Sequence, residues 1–209
     1  MRDESVRVAA EKAAWRRRFR AIRAETPAPA LAAASRRIVA RLRALPEVAA
    51  ARTLHLFWPL PGEVDLRPLA DALRADGRVV ALPVVVGPRA LAHRQYLGAD
   101  RLAEGRWGLR EPAPEAPTVD PADLDVVVVP ALALGRDGSR LGTGGGFYDT
   151  FLAETAAFRV GVVLSAALVD TVPTAPHDLR LDALVTDAEV VRVERDSGDA
   201  AASGAGAER

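Results

Sequence analysis

The chain has 209 residues, 49% hydrophobic and 27% charged, which suits one globular domain with ample core. Its 28 basic and 28 acidic residues cancel, so the molecule as a whole has no electrostatic bias toward nucleic acid or an anionic membrane surface. There is no cysteine, which excludes disulfides, thiolate nucleophiles and thiolate metal sites and fits a cytoplasmic protein. The longest apolar run, Val126 to Leu134, contains Pro130 and is well short of the ~20 residues a spanning helix needs. The first residues are acidic and then arginine-rich, without an apolar segment of signal-peptide type.

Residues 4–24 read as a basic amphipathic helix. Ala14, Trp15, Phe19 and Ile22 form an apolar stripe, and Lys12, Arg16, Arg20 and Arg23 lie on a neighbouring face. Arg17, Arg18, Arg20 and Arg23 are expected to be solvated. Every basic residue but Lys12 is arginine, and arginine cannot replace lysine where a compact point charge is needed. The segment 26–29, with two prolines, breaks this helix, and a second helix is expected from Leu31 to Leu45. Residues 53–58 read as a strand ended by a Pro-Leu-Pro-Gly-Glu turn, and 65–77 as a helix stopped at Gly77. Strands follow at 78–86 and 91–96, and then a proline- and glycine-rich stretch, 98–122, expected to be mostly loop. The β-branched run 125–130 has the pattern of a central parallel strand buried on both faces. A glycine cluster, a helix from Gly146 to Ala157, a buried strand at 158–164 and two short strands at 183–187 and 190–194 complete the pattern.

Alternating strands and helices imply an α/β fold, an open and mainly parallel sheet with helices on both faces and a basic N-terminal helix. Residues 1–195 are expected to form one domain, and 196–209, rich in Ala, Gly and Ser, a disordered tail. Gly142, Gly144, Gly145 and Gly146 fall between a central strand and a helix, where open α/β sheets bind ligands. Backbone N–H groups there can cradle a phosphate; a flexible surface turn has the same composition. The run has neither the Gly-Lys-Ser/Thr ending of a Walker loop nor the third glycine of a dinucleotide fingerprint. His55, His93 and His177 show no metal-ligand spacing.

Taken together, RLGTGGGFYD at 140–149, KAAWR at 12–16, PLPGEVDLRPL at 59–69 and PHDLRLDALVTD at 176–187 resemble, in order, the motifs of the 5-formyltetrahydrofolate cyclo-ligases. WGLREP at 107–112 is a looser fifth match. The resemblance spans about residues 11–190 and implies ATP-dependent conversion of 5-formyltetrahydrofolate to 5,10-methenyltetrahydrofolate, with Mg²⁺ required and ADP and phosphate released. It implies that Lys12, Arg16, Arg140 and the four glycines bind ATP, that Trp58, Glu63, Tyr148 and Glu111 meet the folate, and that Asp149 and Asp187 hold Mg²⁺. Phe147 pairs with Tyr148 in the motif or belongs to the core, and Trp58 lines the pocket or belongs to the core. Two positions depart from the pattern: Thr143 is small, and Gly145 stands where some relatives carry lysine. The implied partners are small molecules only, with neither nucleic acid nor membrane, for a cytoplasmic monomer. A non-catalytic folate- or nucleotide-binding paralogue, or a sugar-phosphate isomerase or coenzyme A transferase on a similar sheet, are the other classes that such a fold admits.

Overall fold

The structure is a computed structural model that describes residues 2–175 and 178–194. Two helices open it, α1 over Arg2–Glu25 and α2 over Ala28–Ala44. The prolines between them end one helix and start the next, since Pro27 is the N-cap of α2 and Pro29 lies in its first turn. After α3 (Pro46–Ala50) and β1 (Thr53–His55) come α4 (Arg67–Ala75), β2 (Val79–Gly87) and β3 (Ala90–Gln95). The stretch expected to be loop contains a short hairpin, β4 (Leu102–Glu104) with β5 (Arg110–Pro112). The chain then runs through β6 (Val126–Pro130), β7 (Ala133–Gly135), β8 (Arg140–Leu141), α5 (Phe147–Phe151), β9 (Phe158–Val162), β10 (Leu168–Val169), β11 (Ala183–Val185) and β12 (Val190–Arg192).

Seven strands form the main sheet in the order β12-β11-β9-β6-β1-β2-β3. The five inner strands are parallel, and both outer strands pair antiparallel. Strand β6 sits centrally because it can be dry on both sides. Val126 and Val128 face a core with Ile38 and Leu42 of α2 and Leu69 and Leu73 of α4. Val127 and Val129 face a second core with Phe19 of α1 and Phe151 of α5. Each such valine contributes about 1.5–3 kcal/mol by leaving water. A smaller sheet, β10-β7-β8, lies beside the main one and launches the glycine loop.

Strand β1 is shorter than its apolar run. Leu56 still donates its N–H to Ala81 O at 2.9 Å, but Pro59 and Pro61 have no N–H to donate, and the chain leaves the sheet. The outer edge of β3 is covered by the segment at 116–119: Gln95 N–H donates to Pro117 O at 2.8 Å and Val119 N–H to His93 O at 2.9 Å. The expected tail at 196–209 lies outside the described residues.

Two histidines interrupt the apolar face around Phe151. His55 and His93 are buried 5.0 Å apart, edge to face, and none of their four ring nitrogens has a hydrogen-bond partner among the described residues. Burial pushes His93 down to about 4, and burial together with His93 pushes His55 well below the ordinary value of 6.5. Both rings are therefore neutral in the folded protein, whereas an unfolded histidine takes up its proton near 6.5. Below that pH the unfolded chain binds more protons, so each histidine lowers stability with a slope of up to about 1.4 kcal/mol per pH unit. For His93 the window closes at about 4. Urea unfolding followed from pH 7 to pH 4 should show this loss, and His93→Leu should flatten it; an unchanged pH profile in that variant would rule His93 out as the cause.

Candidate active site

A cavity of about 710 Å³ opens at the carboxyl edge of the parallel strands. Phe57, Trp58, Pro130 and Ala131, just past β1 and at the end of β6, form its floor. The β2–β3 hairpin, the glycine loop with α5, and the N-terminal helix form the walls. Strand carboxyl ends in an open α/β sheet leave such a crevice because the connections diverge there.

The glycines are needed for two reasons. Gly144 and Gly146 have φ of 108° and 74°, which other residues rarely adopt. Arginine side chains also cross both: a Cβ on Gly144 would stand 3.4 Å from Cζ of Arg16, and one on Gly146 would stand 3.1 Å from Nε of Arg89. The N–H groups of Gly144, Gly145 and Gly146 donate to no described residue, so the loop presents donors to the cavity rather than closing on itself. The helix that follows is a single turn, Phe147–Phe151, and not the longer helix to Ala157 that the sequence suggests. Its dipole is correspondingly weak, so an anion at this end of the cavity would meet the loop donors rather than a helix field.

Helix α1 is fastened to this site by one cation per turn. Lys12 Nζ donates to Asp178 Oδ2 at 2.5 Å, Arg16 Nε to Gly142 O at 3.0 Å, and Arg20 Nη2 to Thr143 O at 2.9 Å. Arg23 donates to both Glu63 Oε1 and Ala131 O at 2.9 Å. Arg20 and Arg23 are therefore not simply solvated as expected, whereas Arg17 and Arg18 are exposed. Steps of four, four and three residues along one face are the signal that could have found all four together.

Glu63 points inward, 8% exposed, with Arg23 on one oxygen and the Leu60 N–H on the other at 3.1 Å. Tyr148 also borders the cavity, and its hydroxyl is buried without a partner among the described residues. Burial, and then the charge of Glu63, push its phenol far above the ordinary value, so it remains a neutral donor. Trp58 lines the cavity and also packs on Tyr96 at 5.6 Å. Phe147 borders the cavity beside Tyr148. Glu111 is buried at the wall, accepting the Val85 N–H at 3.0 Å, where it ties β5 to β2.

Arg140 and Asp149, which the resemblance assigns to different ligands, form an ion pair with each other on the cavity wall. The second oxygen of Asp149 has no partner among the described residues. Asp187 is not brought to the cavity. It accepts the Ser165 N–H at 2.8 Å and pairs with Arg37 at 3.2 Å, beyond β11, so it serves a turn. Burial opposes its ionisation, but the Ser165 N–H and Arg37 outweigh this and hold it below the usual carboxylate value. Among the described residues no three His, Cys, Asp or Glu side chains converge on a metal position. His177 lies outside the described residues. Arg89 and Asp178 line the cavity although the sequence alone did not single them out, and Arg23, expected to be solvated, holds Glu63 instead.

The family model for 5-formyltetrahydrofolate cyclo-ligases matches residues 8–187. The chain belongs to this family. A 5-formyltetrahydrofolate cyclo-ligase of Mycolicibacterium smegmatis is 36% identical over 143 residues, covering 65% of this chain and 73% of that protein. One from Escherichia coli K12 is 34% identical over 156 residues, covering 72% of this chain and 86% of its own. The NMR structure of Aquifex aeolicus 5,10-methenyltetrahydrofolate synthetase superposes with a TM-score of 0.80 at 30% identity, covering 88% of this chain and 94% of that one. The 5,10-methenyltetrahydrofolate synthetase of Mycoplasma pneumoniae, with a TM-score of 0.70 at 21% identity, shares the fold.

The Arg23–Glu63 pair is a test of how the site is built. Arg23→Ala leaves an inward carboxylate without its counter-ion and should cost about 1.5–3 kcal/mol. Glu63→Gln in the same background should add much less than it costs alone. Simple additivity of the two costs, measured by urea unfolding, would show that the pair does not act as a unit.

Proposed function

We propose that the protein converts 5-formyltetrahydrofolate to 5,10-methenyltetrahydrofolate at the expense of ATP, and that this cavity is where it does so. One observation carries the reading. Four segments far apart in sequence, at 12–16, 58–63, 140–149 and 178, converge on one crevice whose loop donors and cations suit phosphates and whose aromatic floor suits a pterin. The formyl oxygen attacks the γ-phosphorus and ADP departs. N10 then adds to the activated carbon, phosphate leaves with the former formyl oxygen, and the N10 proton is released. No protein nucleophile is required, in keeping with a site that has neither cysteine nor a Ser-His-Asp constellation. What the chain supplies is position and charge.

In this reading Lys12, Arg16 and the glycine loop hold the ATP phosphates, with Arg140 behind them. Glu63, kept in place by Arg23, accepts from N–H groups of the pterin, while Trp58, Phe147 and Tyr148 wall the ring system and Glu111 supports the wall. The residues also fit Mg²⁺ carried by the nucleotide, since that ion takes only one or two carboxylates and completes its shell with phosphate and water. Asp149 would hold it; Asp187 would not. When bound, the ion neutralises charge on the phosphate oxygens. We further propose that the protein works in the cytoplasm, as a monomer, on small molecules alone. No helix among the described residues is long and apolar enough to cross a membrane.

Purified protein given 5-formyltetrahydrofolate, ATP and Mg²⁺ should develop the methenyl chromophore with one ADP formed per product. Ligand-induced stabilisation without turnover would instead mark a binding protein. Lys12→Arg keeps the charge but spreads it over a wider plane, so it should raise the KM for ATP several-fold with little change in Tm. Glu63→Gln should raise the KM for folate by about tenfold or more and move the KM for ATP little.

Asp149→Asn tests the metal assignment separately. Its rate should fall most at limiting Mg²⁺ and recover partly as Mg²⁺ is raised. A wild-type Mg²⁺ dependence would remove Asp149 from the metal site.

A further inference from the structure

We infer that Arg89, at the tip of the β2–β3 hairpin, is a phosphate-binding residue of the nucleotide site, facing Arg16 across the glycine loop. This rests on the reading that the cavity binds ATP. Three observations carry it. Arg89 has φ of 55°, the one non-glycine residue at positive φ among those described, at a hairpin tip where glycine or asparagine would sit with less strain. Its side chain runs over the loop, with Nε, Cδ and Cγ within 3.1–3.6 Å of where a Cβ on Gly146 would stand. It also lines the cavity, exposed, and makes no hydrogen bond or ion pair with any described residue.

The other cations on the cavity wall are engaged. Lys12 is held by Asp178, Arg16 by Gly142 O and Arg140 by Asp149, while Arg110 donates to the carbonyls of Ala99 and Leu102. Arg89 alone among these, within the described residues, has a whole guanidinium to offer. Arg16 crosses Gly144 and Arg89 crosses Gly146, so the free N–H groups of Gly144 to Gly146 lie between two arginines from different elements. Planar donors flanking a row of backbone N–H groups suit a polyvalent oxyanion. The loop position assigns that oxyanion to the nucleotide. The glutamate carboxylates of the folate are the rival.

Calorimetric titration of the full chain with ATP, inorganic tripolyphosphate and adenosine, together with steady-state kinetics on monoglutamyl 5-formyltetrahydrofolate, separates these cases. Arg89→Ala should weaken ATP and tripolyphosphate about tenfold or more, as expected for one lost charge-assisted hydrogen bond. Adenosine affinity and the KM for folate should stay within twofold. Arg89→Gly removes the side chain while easing the backbone, so it should lose the same phosphate affinity with no drop in Tm. The inference is overturned if both variants bind ATP within twofold of wild type, or if the folate KM rises while ATP binding does not. Failure of the wild-type protein to bind ATP would instead overturn the nucleotide reading, and the inference with it.

Discussion

The site depends on a helix attached to the domain largely by charge. Helix α1 contributes Phe19 to the core, with Trp15 and Ile22 packed against it, but at each turn a cation reaches across to a loop carbonyl or carboxylate. Because Arg16 and Arg20 bond to the carbonyls of Gly142 and Thr143, they orient the glycine loop through its acceptors and leave its donors free. A loop satisfied internally would have no N–H groups for a ligand, and an unbraced one would lose more entropy on binding. Arg23 extends the arrangement to the other end of the cavity, where it fixes Glu63. One helix therefore braces both the glycine loop and Glu63, at the two ends of the cavity.

The fold was legible because its strongest signals are apolar. The run at 126–130 could be satisfied only by burial on both faces, which placed it at the sheet centre and implied helices on both sides. The helical pattern of α4 and its glycine stop were equally direct. Boundaries failed where backbone bonding rather than hydropathy decides them. Strand β1 stops before its apolar run does because prolines follow, and α5 ends after five residues although good helix formers continue. The small sheet β10-β7-β8 and the hairpin β4–β5 are held by pairings between short, mixed segments that carry no two-residue periodicity of useful length.

The site was legible only in part. The glycine loop, Lys12, Glu63 and Asp149 all stand on the cavity. Asp187, in a motif equally well matched, faces a turn instead. A motif preserves residue identity but does not distinguish a carboxylate that faces ligand from one that caps backbone N–H groups. Arg89 escaped notice, and Arg23 was read as solvated, for a related reason. In a chain with so many arginines a useful guanidinium is not conspicuous, and its partners become visible only in three dimensions.

The way the main sheet ends on either side bears on the behaviour of the protein at high concentration. A parallel sheet with open edges would offer unpaired N–H and C=O groups to a neighbouring molecule. Here β3 is covered along its outside by the 116–119 segment, and Arg94 donates to the carbonyls of Pro114 and Ala116, fastening that cover. At the opposite side β12 is only three residues long and carries Arg192, engaged by Glu47 through two hydrogen bonds. Neither margin is a long, flat template for strand addition. At β3, the longer of the two edges, self-association by sheet extension would first require release of the 116–119 cover, so loosening of that segment is what would turn a shielded margin into a template.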